Sequence, residues 1–388
     1  MARWKEILLE QSTPSPPRLD IDDAVELYDY ADLSELMHVA SIHRRLRVPG
    51  NRVTYLVDRN VNYTNVCTIN CQFCSFYRSP GHPETYLQTI DQISRRFAEL
   101  EEIGGSRVLM QGGVHPDLPL EWYTNLIKEL RLRHPSIDLD CFSPIEIEGI
   151  SEVCGLSTKQ ILEELHAAGM HGLPGGGAEM LVDDVRLDIS PKKGSSKNWL
   201  RVMGEAQDMG LTTSATNVFG LGESTLQRLE HMNKVRELQD VAINKGGVGF
   251  TSFIAWPVML ENNSLGLRER GMNKYTLGAS AHEYLRHIAI SRLFFDNIEH
   301  IQASWPTMGM KVAQMALFSG ADDIGSTMME ENVVSSSGST KSKASERELQ
   351  MVVNRAGFKP CKRDSDYNIL ETDFIAEPAF STPPQQPN

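Results

Sequence analysis

The chain has 388 residues, 40% of them hydrophobic and 23% charged, and a formal charge of −13. That length allows one large α/β barrel or two ordinary domains, the composition is that of a soluble globular protein, and no apolar run approaches the roughly 20 residues of a membrane helix. The acidic balance argues against nucleic acid or an anionic membrane surface as a partner, and Ile7-Leu8-Leu9 is too short for the core of a secretory signal, so the expected location is the cytoplasm.

In chain order, residues 1–59 read as a helical preface, with helical spacing over 21–27 and 33–45. From about residue 60 short β-rich runs alternate with helical patterns. Strands are expected at 61–66, 107–111, 137–143, 170–174, 211–219, 248–256, 298–304 and 321–324. Helical patterns between them include 120–132, 197–209, 279–294 and 308–318. Thr89 with Gln92, Ser157 with Gln160, and Ser224 with Gln227 have capping-box spacing, in which a hydroxyl and a glutamine satisfy backbone donors reciprocally. Apolar stripes follow, such as Ile90, Ile93, Phe97 and Leu100. Eight strands in βα alternation predict an α/β fold, a TIM-type (β/α)8 barrel, with a doubly wound open sheet as the alternative. The barrel is expected over 60–377, followed by a Pro- and Gln-rich disordered tail at 378–388. The Ser-rich stretch 335–343 reads either as a flexible segment or as a loop over the barrel mouth.

Six cysteines are present, and Cys67, Cys71 and Cys74 stand within eight residues just after a predicted strand. Thiolates so close in one loop can converge on a metal centre, and iron–sulfur clusters prefer soft thiolate ligands. Three cysteines cover three irons of a 4Fe-4S cluster and leave the fourth open to another ligand. A zinc site completed by Cys141, Cys154 or a histidine is the structural alternative. Phe73, Phe76 and Tyr77 favour the cluster, because aromatic neighbours shield it and help set its potential.

This cysteine spacing, with Phe73 before the last cysteine, resembles the radical S-adenosylmethionine superfamily. The resemblance implies that the open iron chelates S-adenosylmethionine, whose reductive cleavage yields methionine and a 5′-deoxyadenosyl radical. It also implies a barrel with a (β/α)6 core extended toward a full (β/α)8. Gln111-Gly112-Gly113, after the second strand, is the counterpart of the glycine-rich turn that meets the cofactor's amino group, though a plain βα turn would look the same. Ser143 and Glu146 would face its ribose or methionine part. Glu179 is suited either to the ribose hydroxyls or to a helix amino terminus. Gly220 lets an adenine lie against backbone. With Phe73, these are the expected cofactor-binding positions.

From about Arg52 to Tyr367 the likeness extends to the cyclic dehypoxanthinyl futalosine synthase family of the futalosine route to menaquinone. It is carried by RVTYLVDRNVNYTNVC, RSPGHPETY, FSPIEI, LPGGGAEML, DISPKK, FIAW, IQASWPTMGMKVAQ and GADDIGSTMMEENVV. It implies a radical cyclisation of dehypoxanthine futalosine, and an electron donor such as flavodoxin or ferredoxin. Trp256, Ser304 and Gly325-Ser326 would line the substrate pocket, with core packing as the other reading of Trp256. Ser304, Thr307 and Arg292 are candidates for a substrate carboxylate. Glu146, Glu179, His171 and Tyr77 are candidate bases. The segment WPVMLENNSL departs from the family pattern. The alternatives are a sibling enzyme, aminofutalosine synthase or a deazaflavin-precursor synthase, and a zinc- or cluster-bound structural protein.

Overall fold

The computed structural model describes residues 1–268, 277–330, 332–339 and 343–371. Three helices open the chain: α1 (Arg3–Gln11), α2 (Ile21–Tyr30) and α3 (Leu33–Arg47). They pack on the outside of the barrel that the rest of the chain forms. Arg44 of α3 donates to the carbonyl oxygens of Ala321 (3.0 Å) and Arg52, tying the preface to the amino end of the barrel.

The first barrel strand begins inside the segment expected to be preface. It runs as β1 (Arg52–Leu56) and, after an offset at Val57, as β2 (Asp58–Val61). Residues 62–66, expected as strand, make only isolated bridges. Their side chains explain why: the Thr64 hydroxyl donates to Tyr86 O (2.7 Å) and the Asn65 amide to Glu84 O (3.0 Å), so this stretch anchors a loop rather than extending a ladder. Next come α4 (Ile90–Glu102), β3 (Arg107–Met110), α5 (Leu120–Arg133), β4 (Asp138–Cys141), α6 (Pro144–Cys154), α7 (Thr158–Ala168), β5 (Gly172–Leu173), α8 (Asp183–Ile189) and α9 (Ser196–Asp208). The later units are β6 (Thr212–Phe219), α10 (Thr225–Asn244), β7 (Phe250–Pro257), α11 (Ser264–Arg268), α12 (Ala281–Phe294), β8 (His300–Gln302), α13 (Trp305–Ala316) and β9 (Asp323–Ser326). All three expected capping boxes form, at the starts of α4, α7 and α10. Each cap contributes about 1 kcal/mol to its helix.

Neighbouring strands from β2 through β9 are parallel. Because β2 bonds β3 while β1 bonds β9, the row closes on itself through one continuous run of chain. Asn60 N–H to Met329 O (2.8 Å) and Thr327 N–H to Leu56 O (3.0 Å) carry that seam upward. The result is a (β/α)8 barrel. The helices pack their apolar stripes on its outside, where Ile93, Phe97, Leu126, Leu162, Trp199 and Ile288 are fully buried. α14 (Asn332–Ser336) lies over the carboxyl ends of the strands, and α15 (Glu346–Arg355) returns the chain to the amino end.

Two strands were not expected. β10 (Lys359–Arg363) runs parallel to β1, and β11 (Ile369–Glu371) folds back against it. The loop between them crosses the amino end of the barrel, with the Tyr367 ring stacked on His300 at 3.9 Å. The expected tail, 378–388, lies outside the described residues, as do 340–342 of the Ser-rich stretch. No helix among the described residues is long and apolar enough to cross a membrane.

Candidate active site

A cavity of about 390 Å³ occupies the barrel from the carboxyl ends of the strands inward, and Cys67, Cys71 and Cys74 form part of its wall. The loop carrying them is closed at its base by Cys67 N–H to Arg78 O (3.0 Å) and Arg78 N–H to Asn65 O (2.7 Å). The Arg78 guanidinium fills the loop by donating to Ser75 O (3.1 Å) and Tyr77 O (2.9 Å). Gly113 permits the loop to lie against the turn after β3, since a Cβ there would stand 2.1 Å from Val66 O and 2.8 Å from Cys67 Cβ.

Burial pushes the Cys67 thiol up from its ordinary range and the Cys74 thiol up to about 11, with the nearby Cys71 adding to both. Such thiols ionise only when positive charge is supplied beside them. Two buried cations stand near. Burial works against the charge of Lys193, but Cys71 and Glu179 outweigh it and raise its pKa. Its Nζ lies 2.7 Å from Glu179 Oε2 and 5.0 Å from the centre of the Phe73 ring. Arg186 is attracted to Cys71 as well, and its guanidinium donates to the carbonyl oxygens of Ala178 (2.7 Å), Gly177 (3.1 Å) and Gly194 (3.2 Å). Three thiols on one cavity wall, backed by two buried cations, form an electropositive setting for thiolates.

The other expected positions divide. Gln111, Gly112, Gly113, Ser143, Glu146, Glu179, Phe73 and Tyr77 all line the cavity. The Gln111 carbonyl accepts from the Asn62 amide (3.0 Å) and its side chain donates to Phe142 O (2.9 Å), which fixes the turn. Glu146 is engaged by the chain itself. Its carboxylate accepts from Tyr63 Oη (2.8 Å), Gly112 N–H (2.9 Å) and Ser143 Oγ (2.8 Å). Burial pushes its pKa up to about 7 against the pull of those three bonds. It therefore positions the Gln111–Gly113 turn rather than presenting a free carboxylate. Glu179, at φ 35°, is not a helix cap, since α8 begins later, at Asp183, with its own acids there.

Gly220 and His171 are not part of the wall. Gly220 N–H donates to Glu223 Oε1 (2.7 Å), its carbonyl accepts from Gly278 N–H (2.7 Å), and a Cβ would stand 2.4 Å from Gly278 O, so its faces are already covered. His171 lies at the amino end of the barrel, 3.3 Å from Asp366. Arg292 is buried in an ion pair with Asp322 outside the cavity. Trp256, Ser304 and Thr307 do face it, the two hydroxyls 2.9 Å apart. Lys193, Arg186, Asp140 and Arg107 escaped the sequence reading. Only the doublet Lys192-Lys193 after a proline hinted at one of them.

Two family models match the chain: the radical SAM superfamily over residues 61–235 and the CofH/MqnC C-terminal region over residues 247–374. The cyclic dehypoxanthine futalosine synthase of Halalkalibacterium halodurans is 41% identical over 92% of this chain and 92% of its own length. The aminodeoxyfutalosine synthase of Streptomyces coelicolor is 32% identical over 97% of each. Among solved structures, the FeFe-hydrogenase maturase HydG from Carboxydothermus hydrogenoformans superposes with a TM-score of 0.70 at 16% identity, over 94% of this chain and 80% of that one. That likeness speaks for the barrel alone.

Proposed function

This chain belongs to the radical SAM superfamily, and from that premise we propose that it is an enzyme that cyclises dehypoxanthine futalosine in the futalosine route to menaquinone. The observation that carries the reading is the opening of the cysteine loop onto the same cavity as the ends of the late strands, which leaves room for a substrate beside a cofactor. The higher identity to a cyclase than to an aminodeoxyfutalosine synthase supports the choice between siblings.

In this reading Cys67, Cys71 and Cys74 hold a 4Fe-4S cluster, and the Gln111–Gly113 turn with Ser143 holds S-adenosylmethionine. When bound, that pair supplies a 5′-deoxyadenosyl radical able to take hydrogen from the substrate's ribose. The chain's own work is placement. Lys193 and Arg186 offset the negative charge of the thiolates, and Glu146 holds the turn. Trp256, Val258 and Met259 offer an apolar surface for the benzoate ring, while Ser304 and Thr307 offer hydroxyls to its carboxylate. The electron comes from a small carrier of the flavodoxin or ferredoxin kind in the cytoplasm.

Turnover tests this directly. Anaerobically reconstituted protein given reductant, S-adenosylmethionine and dehypoxanthine futalosine should form 5′-deoxyadenosine, methionine and the spirocyclic product, and Cys71→Ala should form none. Cleavage of S-adenosylmethionine without a spirocycle would refute the cyclase reading and favour a sibling.

A further inference from the structure

Below the Gln111–Gly113 turn the cavity continues toward the amino ends of the strands, and its floor is charged. Arg107 of β3 and Asp140 of β4 both line it, with Nη1 and Oδ2 3.5 Å apart. The closer partner of Arg107 is Asp58, at 2.5 Å. Asp140 thus holds only part of one guanidinium. Asp140 is 6% exposed, and its Oδ1 is buried with no hydrogen-bond partner among the described residues. Gly172 makes room for that oxygen, since a Cβ there would stand 2.4 Å from it.

From the same floor a line of polar groups leads outward. Thr212 lines the cavity, and its hydroxyl donates to Asp366 and lies 3.4 Å from His171 Nε2. His171 Nε2 is 3.3 Å from Asp366 Oδ1, and its Nδ1 is 3.8 Å from Asp138 Oδ1. Side-chain exposure is 22% at His171 and 45% at Asp366; no hydrogen bond among the described residues joins this line to Asp140, which feels it through the charge of His171. The line reaches solvent at the end of the barrel opposite the cysteines.

We infer that Asp140 is the base that takes the proton lost late in the cyclisation, and that His171 and Asp366 pass it to solvent through the amino end of the barrel. The inference rests on the cyclase reading above. Once the ribose carbon has added to the benzoate ring, the ring C–H bond breaks and its electron pair restores the aromatic system. The proton goes to the Asp140 carboxylate, and the unpaired electron leaves to a one-electron acceptor of the iron–sulfur class. A base here works away from the mouth, so the radical stays enclosed while the proton departs. Burial pushes the Asp140 carboxyl up to about 6; Arg107 and His171 pull it down, and Asp138 and Asp366 push it up. Those are the charged groups that face it, and they leave a base matched to a working pH near neutrality.

The test counts products in the reconstituted holoenzyme with dehypoxanthine futalosine, between about pH 5 and about pH 8. In the unaltered protein the spirocycle formed per 5′-deoxyadenosine should fall as pH drops through about 6. Asp140→Asn should lower that ratio at least about tenfold at every pH, with 5′-deoxyadenosine still formed and a substrate radical visible by electron paramagnetic resonance. Asp140→Glu should restore part of the ratio, and His171→Gln should slow its approach to completion. An unchanged ratio in Asp140→Asn overturns the inference, and so does a flat pH profile in the unaltered protein, which decides the matter even where the Asn variant does not fold. Absence of spirocycle from the unaltered protein at any pH removes the cyclase reading and this inference with it.

Discussion

Lys193 is the residue by which the fold adds most to the cysteine motif. The three cysteines are legible because their spacing is local, set by three and two intervening residues in one loop. Lys193 comes from a distant turn after α8, in the DISPKK segment that carries part of the family likeness, and nothing local there marks it as facing the cysteines. Only the fold turns it inward, to 7% side-chain exposure beside Glu179 and the thiols. A buried cation beside an anionic cluster stabilises the state that carries more negative charge, the reduced one. Lys193→Met should therefore lower the midpoint potential of the cluster proposed for these cysteines, by on the order of 60 mV for about a tenfold change in the one-electron equilibrium. Glu179→Gln should raise it. Lys193→Arg should stay near the parent. Potentiometric titration monitored by electron paramagnetic resonance reads all three, and a potential unmoved by Lys193→Met would remove the residue from the cofactor's surroundings.

At the scale of elements, α6 shows a local signal put to a non-local use. Ser143 and Glu146 have the spacing of a capping box, and Ser143 Oγ does accept from Glu146 N–H, at 3.4 Å. The Glu146 carboxylate keeps one oxygen on Ser143 Oγ and gives the other to the turn after β3 and to Tyr63 after β2, so one side chain locks three strand ends together. Sequence placed Glu146, Gly112 and Ser143 in the site but not Tyr63 or the bonds that join them, because those bonds link turns after strands whose register sequence does not specify. The linkage can be measured. The carboxyl titrates at an ordinary 4.5 when unfolded and at about 7 when folded. Between those values the folded chain binds more protons, so stability is greatest below about 4.5 and declines as pH rises through about 7. The loss is on the order of 3 kcal/mol. Glu146→Gln removes the charge, and the difference in melting temperature between variant and parent should move in the variant's favour from about pH 5 to about pH 8. A constant difference across that range would show that Glu146 does not carry the proton.

For the whole molecule, the βα alternation was enough to predict the barrel, because each strand and helix announces itself by its own hydrophobic period. The way the barrel is shut at its amino end was not legible. β10 reads Lys-Pro-Cys-Lys-Arg, a charged run with no apolar alternation, and it is held by position rather than by hydrophobicity. The offset at Val57 lets β2 pair with β3 but leaves the same edge of β1 free below it, and β10 fills that edge in register from Arg52 with Lys359 to Tyr55 with Lys362. What fixes β10 is its last residue. Arg363 Nε lies 2.6 Å from Asp323 Oδ2, with side chains 2% and 0% exposed, and the guanidinium stacks 3.8 Å from the centre of the Tyr367 ring. Asp323 also accepts from Thr54 Oγ1 at 2.7 Å, so one carboxylate joins β1, β9 and β10. Arg363→Met would leave that carboxylate buried without its counter-charge, at a cost of about 3–5 kcal/mol. The double variant Arg363→Met with Asp323→Asn removes both charges and should recover part of the loss, because the penalty of a broken buried pair lies chiefly in the partner left behind. Urea unfolding of the four proteins in this cycle measures the coupling. Additive losses would mean that the pair does not hold the C-terminal segment in place, and β10 would then owe its position to the backbone ladder with β1 alone.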